Sequence, residues 1–248
     1  KDISSKIHVL GCSDPKALKI LGLRNLVICH PEKSVIRIAK ELGFETLTTE
    51  KGFPKKNKIR SIDTTFIWAT KSRRETFFNI SLALIFTEKK GKIIITGDKK
   101  DGIEHFVKEI KSLIDPIAII SKSHGKIGLF QRPLILSNKV KKWKNEGKLQ
   151  KMASEFSTAA GTFSEKSIDA GSKLLAEQFS EKLHGNVVDL GSGWGYLSAE
   201  ALNNNPKITF ITLIDSNISA LQSARKNITS SKAKFFWLDL GHDELKIN

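Results

Sequence analysis

Three glycines at alternate positions, directly after an apolar run, constrain the fold of this 248-residue chain more than any other feature. Residues 187–195 read VVDLGSGWG. Glycine has no Cβ and accepts positive φ, so the pattern predicts a sharp turn from a strand into a helix, with the backbone close to a ligand. The free N–H groups and partial positive charge of the helix N-terminus favour a polar ligand at this turn.

Acidic residues at the ends of the next two predicted strands narrow the choice of ligand. Asp215 and Ser216 follow Gly195 by about 20 residues, where a carboxylate can accept hydrogen bonds from both ribose hydroxyls of an adenosine. Asp239 ends the third strand, where a carboxylate can meet the adenine amino group. A dinucleotide-binding motif needs a third glycine at the position of Tyr196, and the GKS or GKT of a Walker A loop is not present. The pattern therefore favours S-adenosylmethionine over NAD or ATP; a tight turn without a ligand is the alternative.

Short apolar runs alternate with helical patterns along the whole chain, which predicts an α/β fold. In the first half we predict helices at 33–42, 75–86 and 103–113, and strands at 7–10, 26–29, 65–69, 92–96, 117–121 and 127–130, the last two joined by a hairpin turn at 123–125. In the second half we predict helices at 169–181, 196–202 and 218–228, and strands at 186–190, 208–214 and 234–238. The predicted fold class is two tandem Rossmann-like domains with doubly wound, mostly parallel sheets. Because the second domain has only three predicted strands, we expect it to be C-terminally incomplete.

Positive charge is concentrated in the first part of the chain. Residues 1–133 hold 26 Lys and Arg against 14 Asp and Glu, a net charge of +12. Residues 134–151 add +5, whereas residues 152–248 carry −2. We therefore predict a polyanion-binding domain at 1–133, a basic connector at 134–151 and a cofactor domain at 152–248. The alternative is that the lysines only keep the protein soluble.

The two halves resemble weak internal repeats, since each begins with an apolar strand that ends in glycine. Residues 11–15 read GCSDP where residues 191–195 read GSGWG, and Cys29-His30 stands where the second copy has Asp215. The first copy thus lacks the features of a nucleotide site. In the connector, Trp143 either stacks on a nucleobase or packs against a domain surface.

Several classes of protein do not fit the sequence. No apolar run approaches the roughly 20 residues of a membrane helix, and residues 1–6 precede no apolar signal core. The two cysteines have no CxxC spacing, which favours a reducing, cytoplasmic location. The six histidines are scattered, so we predict no metal site. We expect a monomer without membrane attachment.

The run GTFSEKSIDAGSKLL at 161–175, together with residues 187–195, resembles the RsmC type of ribosomal RNA guanine-N2 methyltransferase. Residues 97–103 are similar to a loop of the first domain in that family. The resemblance implies two tandem methyltransferase-like domains, of which the first is degenerate and binds RNA and the second holds S-adenosylmethionine. It implies methyl transfer to the exocyclic N2 of a guanine in 16S ribosomal RNA, with ribosomal RNA or the small ribosomal subunit as partner.

The resemblance also adds residues to the candidate site, because 163, 169 and 171 match the family segment that closes over the cofactor. From the residues alone, Asp169 could be only a helix cap and Phe163 only a core residue. The predicted cofactor-binding residues are Phe163, Asp169, Gly171, Asp189, Gly191, Ser192, Gly193, Gly195, Asp215, Ser216 and Asp239.

The catalytic Asn-Pro-Pro-Phe motif of the family does not occur in this sequence. It would be expected shortly after Asn248, so we predict no catalytic residue within the chain. Two alternatives remain open. One is a non-catalytic RNA-binding module. The other is a protein-glutamine N-methyltransferase, a class that also uses an Asn-Pro-Pro motif.

Overall fold

A computed structural model describes residues 6–48, 62–179 and 181–244. The chain divides into two compact units, one formed by Lys1–His30 and Val35–Lys148 and the other by Pro31–Ser34 and Leu149–Asn248. The N-terminal stretch 1–5, where the sequence predicts no signal core, and the last four residues of the predicted cofactor domain lie outside the described residues. Among the described residues, no helix is long and apolar enough to cross a membrane.

The first unit is built on one seven-stranded, mostly parallel sheet. Its strands are β1 (Ile7–Leu10), β2 (Leu26–Cys29), β3 (Glu45–Thr46), β4 (Ile62–Trp68), β5 (Thr87–Asp98), β6 (Pro116–Lys122) and β7 (Gly125–Gln131). They lie in the order β3-β2-β1-β4-β5-β7-β6, and only the β5–β7 and β6–β7 pairs are antiparallel. Ser123 and His124 both have positive φ, as a tight two-residue hairpin turn requires. The hairpin predicted at 123–125 is confirmed.

The described residues of this part of the chain form the helices α1 (Pro15–Ile20), α2 (Lys33–Glu41), α3 (Arg73–Phe86), α4 (Ile103–Lys111) and α5 (Asn138–Glu146). The sequence predicts that residues 78, 82, 85 and 86 of α3 point inward. Leu82 is buried, and the other three are partly buried and pack against the core, so this prediction is confirmed. Phe77, Ile80 and Leu84 are also buried, because α3 packs against both the sheet and α5.

Helix α5 lies inside the predicted connector and packs on the first unit. The Trp143 ring is buried and stacks on Phe77, with centroids 5.2 Å apart and planes inclined by 22°. The Arg74 guanidinium donates hydrogen bonds to the carbonyl oxygens of Glu146 and Lys148 at 3.3 and 3.1 Å. Of the two roles left open for Trp143, the structure supports packing against a domain surface.

The strands of the second unit are β8 (Gln150–Lys151), β9 (Ser157–Thr158), β10 (Gly185–Leu190), β11 (Ile208–Asp215) and β12 (Ala233–Trp237), and its helices are α6 (Ala170–Gln178), α7 (Tyr196–Asn204) and α8 (Ile218–Asn227). The last three strands form a parallel sheet in the order β10-β11-β12, and β8 pairs with β9. The core includes Ile211, Leu213 and Ala224, contributed by β11 and α8. The strands and helices predicted for this half are confirmed to within a few residues.

One predicted core face of the second unit is only partly correct. The sequence predicts that residues 174, 175 and 179 point inward. Phe179, at the C-terminal end of α6, packs against the core, but Leu174 is 63% exposed and Leu175 is 51% exposed. On the strand β10, Leu190 is 60% exposed. The 3.6-residue period identifies the apolar side of a helix correctly, but it does not tell whether a neighbouring element covers that side.

Candidate functional site

The glycine-rich segment forms the turn between β10 and α7. Gly191, Gly193 and Gly195 have φ values of 75°, 56° and 90°, the left-handed region that glycine adopts without steric cost. The backbone N–H groups of Gly191 and Ser192 both donate to the carbonyl oxygen of Ile214, at 2.8 and 3.0 Å. The turn is therefore fixed to the end of β11, and it leads directly into the N-terminus of α7, as the sequence predicts.

The three glycines differ in what lies in front of them. A Cβ atom added to Gly191 or Gly193 would meet no atom of residues 6–48, 62–179 or 181–244 within 4 Å. A Cβ on Gly195 would lie 2.9 Å from Cδ1 of Ile228 and 3.1 Å from Cβ of Ala224. The first two glycines therefore border open space, where a ligand can approach the backbone, whereas Gly195 allows close packing at the end of the turn.

Two half-buried carboxylates hold the turn together. Asp215 accepts hydrogen bonds from the backbone N–H groups of Gly193 and Asn217, both at 2.7 Å, and Asp189 accepts one from the Ser198 hydroxyl at 2.6 Å. Burial raises the pKa of both carboxyls above its usual value, and these hydrogen bonds oppose the shift. Each carboxylate oxygen has two lone pairs, so Asp215 can accept further hydrogen bonds from a ligand.

A cavity of about 120 Å³ lies beside the turn. Its lining includes five of the predicted cofactor-binding residues: Phe163, Asp169, Gly191, Ser192 and Gly193. Trp194 and Tyr196 also contribute, although the sequence does not predict them as site residues. The structure thus brings the 163–169 segment and the glycine turn to one place, and residues 171, 189, 195, 215, 216 and 239 lie outside this lining.

The segment before α6 is tied to the turn by one hydrogen bond. The carbonyl oxygen of Phe163 accepts a hydrogen bond from Nε1 of Trp194 at 3.0 Å. The Phe163 ring is 73% exposed, so it is not a core residue. Asp169 caps α6 by accepting from the Ser172 N–H at 2.8 Å, and Gly171 lies in the first turn of that helix. Asp169 is therefore both a helix cap and part of the cavity wall.

Ser216 and Asp239 lie in the loops after β11 and β12, at the same carboxyl edge of the sheet as the glycine turn. Ligands of open α/β sheets bind at this edge. The Ser216 hydroxyl donates to Glu32 at 2.6 Å, and the Asp239 N–H donates to the Asp243 carboxylate at 2.7 Å. Sequence reasoning missed Glu32, because no local pattern connects it with a residue 184 positions away.

The site has one polar group that the protein leaves unsatisfied. The Ser192 hydroxyl oxygen is buried and has no hydrogen-bond partner among the described residues, a condition that is costly unless a ligand or water completes it. A polar ligand that carries hydroxyl groups fits this site. It would occupy the open space before Gly191 and Gly193 and form hydrogen bonds with the Ser192 hydroxyl and with Asp215. Among the described residues, no group of His, Cys, Asp and Glu side chains is arranged to hold a metal ion.

The corresponding turn of the first unit is filled by protein atoms. Gly11, after β1, also has a positive φ of 74°, but a Cβ there would lie 2.4 Å from the Trp68 carbonyl oxygen and 3.2 Å from Nδ2 of Asn79. His30, which follows β2, is buried, and burial lowers its pKa to about 4. This turn therefore offers neither open space nor a carboxylate at the end of the second strand.

Known proteins similar to this chain point to one family. The family described as the methyltransferase small domain matches residues 153–246. The ribosomal RNA small subunit methyltransferase C of Buchnera aphidicola subsp. Acyrthosiphon pisum is 26% identical over 225 residues, which are 88% of this chain and 64% of the relative. The protein of the same name from Buchnera aphidicola subsp. Schizaphis graminum is 31% identical over 203 residues, covering 72% of this chain and 57% of the relative.

A solved structure shows the same fold. The 16S rRNA guanine-N2 methyltransferase RsmC of T. thermophilus, in complex with AdoMet and guanosine, has a TM-score of 0.72 and 16% identity, with 96% of this chain and 66% of that chain covered. The chain spans 64% and 57% of the length of the two curated relatives. The chain is therefore related to the RsmC-type ribosomal RNA methyltransferases, and the resemblance indicated by its motifs is confirmed.

Proposed function

We propose that this protein is an S-adenosylmethionine-dependent methyltransferase that acts on the exocyclic N2 of a guanine in 16S ribosomal RNA. The observation that carries the proposal is the open glycine turn of the second unit, with Asp215 at the end of the neighbouring strand. The similarity of the chain to ribosomal RNA small subunit methyltransferases supports the substrate class. A cytoplasmic location follows from that substrate.

The second unit would hold the cofactor through groups of different kinds. The backbone at Gly191 and Gly193 borders the space for it, and the unsatisfied hydroxyl of Ser192 gains a partner there. Asp215 accepts hydrogen bonds from the ribose hydroxyls, and Asp239 accepts one from the adenine amino group. When bound, the cofactor supplies an activated methyl group; the residues of this chain bind and orient it, and Phe163 with its exposed ring covers it from the side of the cavity.

The proposed arrangement is two tandem methyltransferase-like domains with different tasks. The turn at Gly11 is filled by protein atoms, which supports a first domain without cofactor. Lys141, Lys142 and Lys144 are exposed on α5, in the segment with a net charge of +5, and suit the phosphates of an RNA chain. The first domain and its basic helix would thus bind ribosomal RNA or the small subunit, and the second would present the methyl group.

No residue of this chain is assigned to the chemical step, because the Asn-Pro-Pro-Phe motif of the family is not in the sequence. In that family the motif accepts hydrogen bonds from the target amine and aligns its lone pair on the methyl carbon, so positioning supplies much of the rate. The contribution of this chain is to hold the cofactor and the RNA in one geometry. We propose that the second domain is completed by the residues that carry the motif.

Two measurements test the proposal. Isothermal titration of the chain with S-adenosylhomocysteine should show binding that neither NAD nor ATP displaces. The protein in its natural length, incubated with radiolabelled S-adenosylmethionine and 16S ribosomal RNA or small subunits, should place the label in N2-methylguanine. RNA binding without any cofactor binding would instead support a non-catalytic module. Label on a release-factor glutamine, with none on RNA, would support a protein methyltransferase.

A further inference from the structure

The second unit includes a short segment from early in the chain, Pro31–Ser34, which pairs with the loop after β11. The Pro31 carbonyl oxygen accepts a hydrogen bond from the Ile218 N–H at 3.0 Å, and the Lys33 N–H donates one to the Ser216 carbonyl oxygen at 2.8 Å. Between these two bonds, Glu32 and Asn217 form an antiparallel bridge. The segment is therefore hydrogen-bonded to the loop that directly follows Asp215.

The Glu32 side chain contacts both residues that follow Asp215. Its carboxylate accepts from the Ser216 hydroxyl at 2.6 Å and from Nδ2 of Asn217 at 2.8 Å. Oδ1 of Asn217 already accepts from the N–H groups of Ser219 and Ala220 at the start of α8. The orientation of the Asn217 amide is thus fixed, and only a hydrogen-bond acceptor fits at position 32.

Lys33 makes the corresponding contacts to the loop after β12. Its Nζ donates to the carbonyl oxygen of Trp237 at 2.8 Å and forms an ion pair with Asp243 at 2.8 Å. The Asp243 carboxylate in turn accepts from the N–H of Asp239 at 2.7 Å. One charged side chain of the segment therefore contacts the loop after Asp215, and the next contacts the loop that contains Asp239.

We propose that Glu32 and Lys33 are positioning residues of the cofactor site. This inference rests on the proposed function, since it gives these residues a task only if Asp215 and Asp239 bind the ribose and the adenine. Neither side chain bonds to either aspartate carboxylate in the contacts above; each fixes the loop that carries the aspartate. A site whose acceptors are fixed before binding loses less conformational entropy when the ligand arrives.

The test compares Glu32→Ala and Glu32→Gln with a matched control, Glu41→Ala. Glu41 also forms a charged pair, with Arg37 one turn earlier on α2, but it has no part in the proposed site. We expect Glu32→Ala to weaken binding of S-adenosylhomocysteine about tenfold, the lower end of what second-layer partners contribute in metal sites. Glu32→Gln should lie between this variant and the wild type, because its amide keeps one acceptor. Glu41→Ala should bind like the wild type.

Partial restoration of binding by Glu32→Gln distinguishes a positioning role from a merely structural one, and adenosine alone locates the effect at the nucleoside end of the ligand. Because the two loops hold the nucleoside end of the ligand, Glu32→Ala should weaken the binding of adenosine and of S-adenosylhomocysteine by the same factor. Both affinities are measured at a temperature where thermal unfolding shows that every variant is folded. Equal affinities of Glu32→Ala and wild type would overturn the positioning role and leave the proposed function intact. A loss that Glu32→Gln does not partly restore would also overturn it. No binding to the wild type would overturn the proposed function itself.

Discussion

Gly191 and Gly185 have similar left-handed backbones, with φ of 75° and 68°, and a Cβ on either would meet no atom of the described residues within 4 Å. Only Gly191 borders the cavity of the candidate site. Gly191→Ala should therefore lower the free energy of unfolding by about 1 kcal/mol, because of backbone strain. It should also weaken binding of S-adenosylhomocysteine at least tenfold, because the methyl group enters the ligand space. Gly185→Ala should lose a similar ~1 kcal/mol and keep its affinity. Calorimetric titration with thermal unfolding distinguishes them; the same loss of affinity in both variants contradicts the assignment.

His8 makes the stability of the protein depend on pH. Its Nε2 lies 3.0 Å from the Cys29 sulfur, and its Nδ1 has no hydrogen-bond partner in the part of the chain that the structure describes. Burial lowers its pKa from 6.5 to about 4. Between pH 6.5 and 4 the unfolded chain binds a proton at this residue and the folded chain does not. The free energy of unfolding therefore falls as the pH is lowered through this window, by at most about 3 kcal/mol from this group.

The variant His8→Gln removes the group that binds this proton in the unfolded chain. Urea unfolding at steps between pH 4.5 and 7 should show a smaller slope of stability against pH than in the wild type. His30, whose pKa is also lowered to about 4 by burial, remains in the variant and keeps part of the slope. An unchanged slope in His8→Gln would show that His8 is protonated as readily in the folded state as in the unfolded one.

What could be predicted for single residues depended on whether the signal was local. The glycine turn and its position before a helix follow from residues 187–195 alone, and the placement of Asp215 follows from the apolar run at 208–214 that it ends. The packing of Gly195 against Ile228 and Ala224 depends on how the end of α8 approaches the turn. The contact of Glu32 with Ser216 joins residues 184 positions apart, and no periodicity in the sequence connects them.

Among the elements, α5 shows how a basic helix is anchored by one aromatic side chain. Trp143→Ala removes a buried ring that stacks on Phe77, and it should lower the free energy of unfolding by about 3–5 kcal/mol. Trp143→Phe keeps an aromatic ring on Phe77 and should lose clearly less. Denaturant unfolding followed by circular dichroism measures both; equal stability of Trp143→Ala and wild type would show that the stack does not anchor the helix.

The elements themselves were predicted more reliably than their surroundings. The strands β1 and β2 have the predicted bounds, and the hairpin of β6 and β7 was recognised from its turn residues. For α6, the apolar side chains at 174 and 175 led to a predicted core face, yet both are exposed. Amphipathicity records which side of a helix avoids water. Whether that side is covered depends on elements that a local window does not contain.

At the scale of the whole molecule, charge and cofactor chemistry occupy different parts of the chain. Residues 1–151 have a net charge of about +17, and residues 152–248, which include the glycine turn, have −2. RNA binding by the whole chain should therefore weaken steeply with salt, because each phosphate contact releases counterions. The proposed RNA-binding role assigns these contacts to the first part of the chain and in particular to α5.

Replacement of Lys141, Lys142 and Lys144 by alanine tests this assignment in the whole chain. If each lysine neutralises one phosphate, the slope of log affinity against log salt should become shallower by about 2 to 3, with slopes of roughly 0.7–0.9 per contact. The control replaces three exposed lysines of the second unit, 173, 182 and 207, with the same loss of charge. Fluorescence anisotropy with a 16S ribosomal RNA fragment at several salt concentrations measures both slopes. If the two triple variants lose the same slope, RNA responds only to the total charge of the protein, and the basic helix is not a binding surface.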